Sequence, residues 1–267
     1  MRNDFTGKAV LVTGGTMGIG LATALAFGRN GAHAYLTHAW GSADEAELRK
    51  TFRDAGAPEP VIVQADAAND DDTVPLIERI KADHGALEVF VSNVSMVPAT
   101  TGIDSLSRRA LFKSLEYSTW PLVSYLQQAK KILDHLPRYA IAISTDGVDH
   151  YYEGYDYVGV SKAVLETLCR YLCAHLEGQD IRINAVRTRN VITRSALAIH
   201  GEDYPAFVRK YGGEPHFIRA EEVADAILAL CSGMLDALSG QVLSVDRGGP
   251  FSDSLMRLYR HRQEYGL

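Results

Sequence analysis

The sequence predicts a single-domain α/β protein with a doubly wound, parallel sheet of seven strands. Three observations predict it: seven short apolar runs, helical patterns between them, and a glycine-rich turn after the first run. The runs are nearly continuous in apolar and β-branched residues, as in strands that are covered on both faces. Repeated strand–helix–strand units give a parallel sheet with right-handed crossovers. The length of 267 residues suits one such domain, 1–267.

The predicted elements alternate along most of the chain. The predicted strands are Lys8–Val12, His33–Thr37, Val61–Ala65, Glu88–Val91, Tyr139–Ser144, Ile181–Val186 and Gln241–Val245. The predicted helices are Gly20–Asn30, Glu45–Ala55, Val74–Asp83, Trp120–Leu133, Ser161–Leu176 and Ala220–Leu230. Residues 188–218 carry no clear strand and predict a substrate lid with short helices. The basic and aromatic tail, 251–267, either packs on a partner subunit or frays.

Composition excludes several classes of protein. A net charge of −6 gives no basic footprint for nucleic acid. Three cysteines are too few and of the wrong parity for a disulfide scaffold, and Cys169 and Cys173 are interpreted as buried thiols rather than metal ligands. No apolar run approaches the roughly 20 residues of a membrane span, and Met1–Phe5 does not resemble a signal peptide. We therefore expect a cytoplasmic protein without a metal or a membrane partner.

The glycine-rich turn Thr13–Gly20 lies between the first strand and the first helix. Its glycines let the backbone approach a pyrophosphate, and the helix N-terminus offers N–H groups and a positive dipole end. In a doubly wound sheet a ligand binds at this junction. The turn therefore predicts a Rossmann-like dinucleotide site whose residues are Gly14, Thr16, Met17, Gly18, Ile19 and Gly20.

The end of the second strand bears on the choice between NAD and NADP. An acid there would bind the ribose 2′-hydroxyl and repel a 2′-phosphate, yet none precedes Asp44. His38, Trp40 and Ser42 could donate hydrogen bonds to a phosphate, or His38 and Trp40 could pack against the adenine edge. We expect NADP(H), with NAD(H) the less favoured cofactor.

Ordered motifs along nearly the whole chain resemble the short-chain dehydrogenase/reductase family. They are Thr13–Gly20, Asp66-Ala67, Ser92–Ser95, Ser161-Lys162, Asn184–Val186 with Thr193, and Ser239–Gly249. The resemblance implies a nicotinamide-dependent oxidoreductase. It adds to the expected cofactor-binding residues Asp66, Ala67, Asn93, Lys162 and Thr193.

The family's proton donor is a Tyr four residues before the Lys, but Val158 stands there. The nearest tyrosines are Tyr157 and Tyr155. On a helix, five residues separate Tyr157 from Lys162 by about 140°, whereas seven residues bring Tyr155 back to within about 20°. If the helix reaches back that far, Tyr155 shares a face with Lys162. The alternative for both tyrosines is an aromatic wall.

A Tyr seven residues before the Lys resembles the short-chain enoyl-acyl carrier protein reductases, most of all reductase III, the FabL type. This implies NADPH-dependent reduction of the 2,3 double bond of an enoyl thioester, with acyl carrier protein as a candidate carrier of the acyl group. Tyr155 would stabilise the enolate oxygen, Lys162 would hold the nicotinamide ribose, and Thr145, at the position of the family's Ser, would hydrogen-bond the substrate. Family members assemble through the helices Trp120–Leu133 and Tyr157–Leu176, so we expect a homo-oligomer, specifically a homotetramer.

Other positions depart from the family pattern. Asp146 follows Thr145 and is expected to face solvent, and Ser118 stands where the family has a helix Asn. Arg187 and Arg189 are candidates for binding cofactor phosphate or an acidic carrier protein, or for plain surface charge. These departures keep two alternatives open: a divergent ketoreductase or alcohol dehydrogenase of secondary metabolism, and a non-catalytic NADP(H)-binding sensor.

Overall fold

The computed structural model describes residues 4–39, 43–98, 100–193, 196–197, 201–211, 217–251 and 253–267. The strands are β1 Ala9–Val12, β2 His33–His38, β3 Val61–Gln64, β4 Val89–Ser92, β5 Tyr139–Thr145, β6 Arg182–Thr188 and β7 Val242–Val245. The helices are α1 Gly18–Arg29, α2 Glu45–Asp54, α3 Asp70–His84, α4 Arg108–Ser118, α5 Trp120–Leu133, α6 Asp156–His175, α7 Tyr204–Tyr211, α8 Ala220–Leu230, α9 Ser254–Arg260 and α10 Arg262–Tyr265.

The seven strands form one sheet in the order β3-β2-β1-β4-β5-β6-β7. Every pairing is parallel, and the chain order reverses direction between β1 and β4. This is the predicted doubly wound sheet, which is confirmed. Ligands bind such sheets beyond the carboxyl ends of the strands at the reversal point, next to β1 and β4.

The sheet separates two apolar cores. Val10 and Val12 of β1 pack with Phe27 of α1, whereas Leu11 faces the other layer with Tyr125 of α5. Neighbouring residues of one strand thus go to opposite faces and are buried on both. This explains why the runs are continuously apolar in the sequence.

Several helices differ from the predicted ones, and for two of them a capping side chain explains where the helix begins. Helix α3 begins at Asp70 instead of Val74, because the side chain of Asn69 accepts a hydrogen bond from the Asp71 N–H, 3.2 Å away, and caps the helix. Helix α6 begins at Asp156 instead of Ser161. Helix α4 was not predicted; the Ser107 side chain caps it at the Ala110 N–H.

The stretch 188–218, predicted to be a substrate lid, contains α7 among its described residues. Val191 and Ile218 form an isolated parallel bridge that holds its two ends together. The tail after β7 forms α9 and α10. No helix within the described ranges is long and apolar enough to cross a bilayer.

Candidate active site

The glycine-rich turn joins β1 to α1 at the sheet's reversal point. Gly14 and Gly18 have φ angles of +62° and +56°, a left-handed region that favours glycine. A Cβ on Gly20 would lie 2.5 Å from the Gly14 carbonyl oxygen, so only glycine permits this helix–turn contact. The turn therefore needs its glycines to bring the N-terminus of α1 to the carboxyl edge of the sheet.

Asn93, just after β4, holds this turn in place. Its Nδ2 donates to the Thr13 carbonyl at 2.9 Å and to the Gly14 carbonyl at 3.2 Å. Its backbone N–H donates to the Thr13 hydroxyl at 3.0 Å. Asn93 thus shapes the dinucleotide site through the backbone of the turn.

A cavity of about 610 Å³ opens over the carboxyl edge of the sheet. Among the residues that line it are most of the predicted site residues: Gly14, Thr16, Met17, Gly18, Ile19, His38, Ala67, Asn93, Thr145, Tyr155, Lys162 and Thr193. Gly20 and Asp66 stand outside the lining formed by described residues. The Asp66 carboxylate instead accepts hydrogen bonds from the Tyr117 hydroxyl at 2.7 Å and the Ala68 N–H at 3.0 Å, and Tyr117 does line the cavity.

The structure places Tyr155, Lys162 and Thr145 in the lining of the same cavity. Tyr155 is the N-cap residue of α6, and its carbonyl accepts from the Gly159 N–H at 2.9 Å, so it belongs to the first turn. Burial raises the pKa of Tyr155, the Thr145 side chain lowers it, and the nearby Asp146 raises it further. The phenol is thus protonated at neutral pH and able to donate.

Lys162 carries an ammonium group inside the protein. Only 4% of the residue is exposed, and its Nζ has no hydrogen-bond partner in the described part of the chain. Burial lowers the pKa of Lys162 to about 8. A buried amine without an acceptor is costly, so this geometry fits a ligand that brings hydroxyl oxygens to it, as a nucleotide ribose does.

Tyr157 lies elsewhere. It is buried, and its hydroxyl accepts from the Ser107 N–H at 2.6 Å at the start of α4. It is not among the described residues that line the cavity. The two tyrosines therefore separate as the helical-phase argument predicts, one toward Lys162 and one toward the α4 cap.

The carboxylate of Asp146 does not face solvent, so that expectation is wrong. The residue is 5% exposed, and Oδ2 accepts from the Tyr152 hydroxyl at 2.8 Å and from Arg189 Nη1 at 2.9 Å. All three residues line the cavity. The sequence held a signal for the Asp146–Arg189 pair, because each residue follows directly on one of two neighbouring strands. Because the order of the strands was not known from the sequence, the two residues could not be recognised as neighbours.

Arg187 is not surface charge either. Its guanidinium donates to both oxygens of the buried Glu166 carboxylate at 2.6 Å, and it also contacts Asp149. These hydrogen bonds raise the pKa of Arg187, with the Glu166 bond the largest cause. Ser144 donates a further hydrogen bond to Glu166 at 2.6 Å. Arg187 therefore neutralises the buried Glu166 carboxylate.

The residues at the end of β2 bear on the choice between NAD and NADP. His38 lines the cavity, and its Nδ1 is buried without a partner among the residues described. Asp44, the first acid after the strand, caps α2 by accepting from the Glu47 N–H at 3.0 Å. Trp40 and Ser42, the other predicted phosphate donors, lie outside the described residues.

Two further features complete the site. Ser118, at the position of the family's helix Asn, accepts from the Met96 N–H at 3.0 Å and contacts the Ser95 hydroxyl at 3.1 Å, so it supports the loop after β4. Across the described ranges, no group of three or more His, Cys, Asp or Glu side chains could hold a metal ion.

Comparison with known proteins identifies the family. Residues 14–249 match the family model described as Enoyl-(Acyl carrier protein) reductase. The chain belongs to this family. It is 26% identical to the NADH-dependent enoyl-[acyl-carrier-protein] reductase FabI of Aquifex aeolicus over 253 residues, 91% of each chain. It is also 26% identical to a glucose and ribitol dehydrogenase of Daucus carota over 257 residues, 92% of this chain and 86% of the other.

The fold matches solved short-chain dehydrogenases. A short-chain dehydrogenase from Burkholderia cenocepacia in complex with NADP has a TM-score of 0.80 at 22% identity, with 92% of this chain and 99% of that chain covered. The protein is therefore an NAD(P)H-dependent oxidoreductase of the short-chain dehydrogenase/reductase family, and it is similar to enoyl-acyl carrier protein reductases.

Proposed function

We propose that this short-chain dehydrogenase/reductase reduces the 2,3 double bond of an enoyl thioester with NADPH. One observation carries the proposal: Tyr155, seven residues before Lys162, lines the cavity with it, while Tyr157 is used on the α4 cap. In ketone reduction the carbon that takes hydride and the oxygen that takes the proton are bonded to each other. In enoyl-thioester reduction they lie several bonds apart, which favours a donor set further from the lysine.

Tyr155 is proposed to hydrogen-bond the thioester oxygen. Negative charge develops on this oxygen as hydride reaches the β-carbon, so the hydrogen bond strengthens in the transition state. Thr145, which lines the same cavity, offers a second hydroxyl to the substrate. The raised pKa of Tyr155 keeps its proton in place until that charge appears.

The cofactor is proposed to be NADP(H), which supplies the hydride when bound. The turn Thr13–Gly20 would hold the pyrophosphate at the N-terminus of α1, with Thr193 above it: a Cβ on Gly18 would be 3.4 Å from Thr193 Cγ2. Lys162 would donate to the ribose hydroxyls. His38, whose buried Nδ1 has no partner among the described residues, would hydrogen-bond a 2′-phosphate, and the use of Asp44 as a helix cap supports NADP over NAD.

The assembly is proposed to be a homotetramer. Val160, Val164 and Tyr171 are exposed apolar residues on α6, and Trp120 is exposed at the start of α5. Apolar residues on helix faces turned away from the core favour self-association. Light scattering should report a mass near four times the monomer; a monomer at micromolar concentration would refute this.

The proposed substrate form is an acyl chain on acyl carrier protein, and the proposed location is the cytoplasm.

The deciding experiment follows NADPH oxidation at 340 nm with an enoyl thioester and a 3-ketoacyl thioester side by side. We expect turnover of the enoyl thioester at a kcat/KM well above that of the ketone. A preference for the ketone would favour the ketoreductase alternative instead. Normal NADPH binding without turnover of either substrate would favour the sensor alternative.

A further inference from the structure

We propose that the cavity recognises an oxygen atom on the acyl part of its substrate through Arg189, which Asp146 and Tyr152 hold in place. The inference rests on the proposed thioester reduction and narrows its substrate class to oxygen-bearing acyl groups: hydroxy-, oxo- or carboxyacyl thioesters.

The sheet places Asp146 and Arg189 side by side. Thr145 of β5 is paired in register with Thr188 of β6, so the next residue of each strand emerges at the same carboxyl edge. Both residues line the cavity that holds Tyr155 and Lys162. Strand register, rather than a flexible loop, therefore sets the position of this charged pair.

The hydrogen bond between Asp146 and Arg189 uses only part of the Arg189 guanidinium. Arg189 Nη1 donates to Asp146 Oδ2 at 2.9 Å, and the Tyr152 hydroxyl donates to the same oxygen at 2.8 Å. The guanidinium carbon lies 5.9 Å from the centre of the Tyr152 ring. Arg189 is thus held by one hydrogen bond and one aromatic contact, and the fork of its remaining N–H groups is fixed in direction.

The Nε–H of Arg189 is buried and has no acceptor among the described residues. A buried donor without a partner is unfavourable, and arginine cannot lose its proton to relieve it. The group that satisfies it must be an acceptor, which in an acyl chain means a hydroxyl, carbonyl or carboxylate oxygen. A plain hydrocarbon chain would offer Nε no acceptor.

The pair is close to the proposed reacting group. The Tyr152 ring meets the Tyr155 ring edge-on, 5.9 Å between centres, and Tyr152 bonds Asp146. Tyr155, Tyr152, Asp146 and Arg189 therefore form a continuous wall of the cavity. A substrate whose thioester oxygen meets Tyr155 has its neighbouring atoms against this wall, within reach of Arg189.

Binding of matched saturated thioesters tests the inference without requiring turnover. Hexanoyl-CoA, 6-hydroxyhexanoyl-CoA and adipoyl-CoA are titrated calorimetrically into the full-length protein with saturating NADP⁺. We expect at least one oxygenated thioester to bind about 10- to 100-fold more tightly than hexanoyl-CoA, the usual yield of a hydrogen bond to a charged group. The hydroxy and carboxy ligands separate a neutral from an anionic substituent.

Two variants assign the preference to Arg189. The double variant Arg189→Met/Asp146→Asn removes both charges and leaves no buried ion unpaired, so it is expected to fold. It should bind the three thioesters with affinities within about threefold of one another, which converts to less than 1 kcal/mol. Asp146→Asn alone keeps the Arg189 donor and removes a negative neighbour, so it should shift the preference toward adipoyl-CoA.

The results separate this inference from the proposed function. Equal affinities in the wild type, or a preference that survives in the double variant, would overturn the role of Arg189. Reduction of the corresponding 2-enoyl thioesters is then measured. Turnover without a binding preference would support the proposed reaction and reject the role of Arg189. A binding preference without turnover would support the role of Arg189 and reject the proposed reaction. Failure of all three thioesters to bind would reject both.

Discussion

Replacing Tyr155 by Phe removes one hydroxyl from the cavity and leaves the ring where it is. The ring packs on Gly147, where an added Cβ would be 2.9 Å from a Tyr155 ring carbon, and it meets the Tyr152 ring edge-on. Phe keeps both contacts. The change is therefore limited to the phenolic hydroxyl itself.

The expected effect on activity is large and the effect on stability small. Loss of one preorganised donor to a developing oxyanion lowers kcat by roughly 10²–10³-fold, or about 3–4 kcal/mol of transition-state stabilisation. Because the donor acts mainly in the transition state, kcat and kcat/KM should fall together. Because the ring contacts remain, the loss of folding stability should be about 1 kcal/mol at most. NADPH affinity should stay within about twofold, because Lys162 is assigned to the ribose.

Tyr157→Phe is the matched control, since it makes the same chemical change two residues away. It removes the acceptor of the Ser107 N–H at the start of α4. The stability loss should be about 1–2 kcal/mol, seen as a midpoint shift in urea unfolding, with kcat within a few-fold of wild type. Steady-state kinetics at 340 nm and urea titrations of the three proteins make the comparison.

The opposite ranking would refute the reasoning. If Tyr157→Phe were inactive and Tyr155→Phe active, the helical-phase argument and the enoyl-reductase proposal would both be wrong. A fall of kcat/KM in Tyr155→Phe through KM alone would assign the hydroxyl to substrate binding rather than to the oxyanion.

Three other predictions follow from buried charge and polarity. His38→Asp should shift cofactor preference toward NADH, because a carboxylate there repels a 2′-phosphate; fluorescence titration with both cofactors measures it, and an unchanged ratio would contradict the assignment. Lys162→Met should stabilise the free protein at pH 7, because folding lowers the Lys162 pKa to about 8 and burial of its charge costs stability. In the unfolded chain the lysine keeps its proton up to about pH 10.4, so the free energy of unfolding of the wild type should rise from pH 8 upward. Its difference from the free energy of unfolding of Lys162→Met should therefore narrow. A difference that stays constant in urea titrations from pH 7 to 10 would argue against this assignment. Arg187→Met should cost about 3–5 kcal/mol by leaving the Glu166 carboxylate buried and unpaired, and adding Glu166→Gln should restore most of it; equal losses in the single and double variants would show that the ion pair is not the cause.

Much of the fold could be predicted because all seven strands and most of the long helices have a local sequence pattern. The continuous apolar run of β1 predicts a strand that is buried on both faces. The following turn, Thr13–Gly20, predicts that a helix begins at a ligand-binding edge of the sheet. The first and last residues of the helices were harder to predict from the sequence. Helix α3 begins early because Asn69 caps it, a local signal that the apolar periodicity does not include. Helix α6 begins early at Asp156, and this brings Tyr155 into its first turn.

The sequence alone determined the parallel seven-stranded sheet, the dinucleotide turn and the spacing of Tyr155 and Lys162, since these depend on residues near one another in the chain. Only the tertiary structure decided the fate of the charged residues. Asp146 and Arg189 are 43 residues apart, and each alone is indistinguishable from a surface charge. Burial of a carboxylate is tolerated only where a counter-charge reaches it, and that meeting depends on which strands are neighbours and in what register. The polar wall of the cavity is therefore a property of the sheet order, which no local pattern of residues contains.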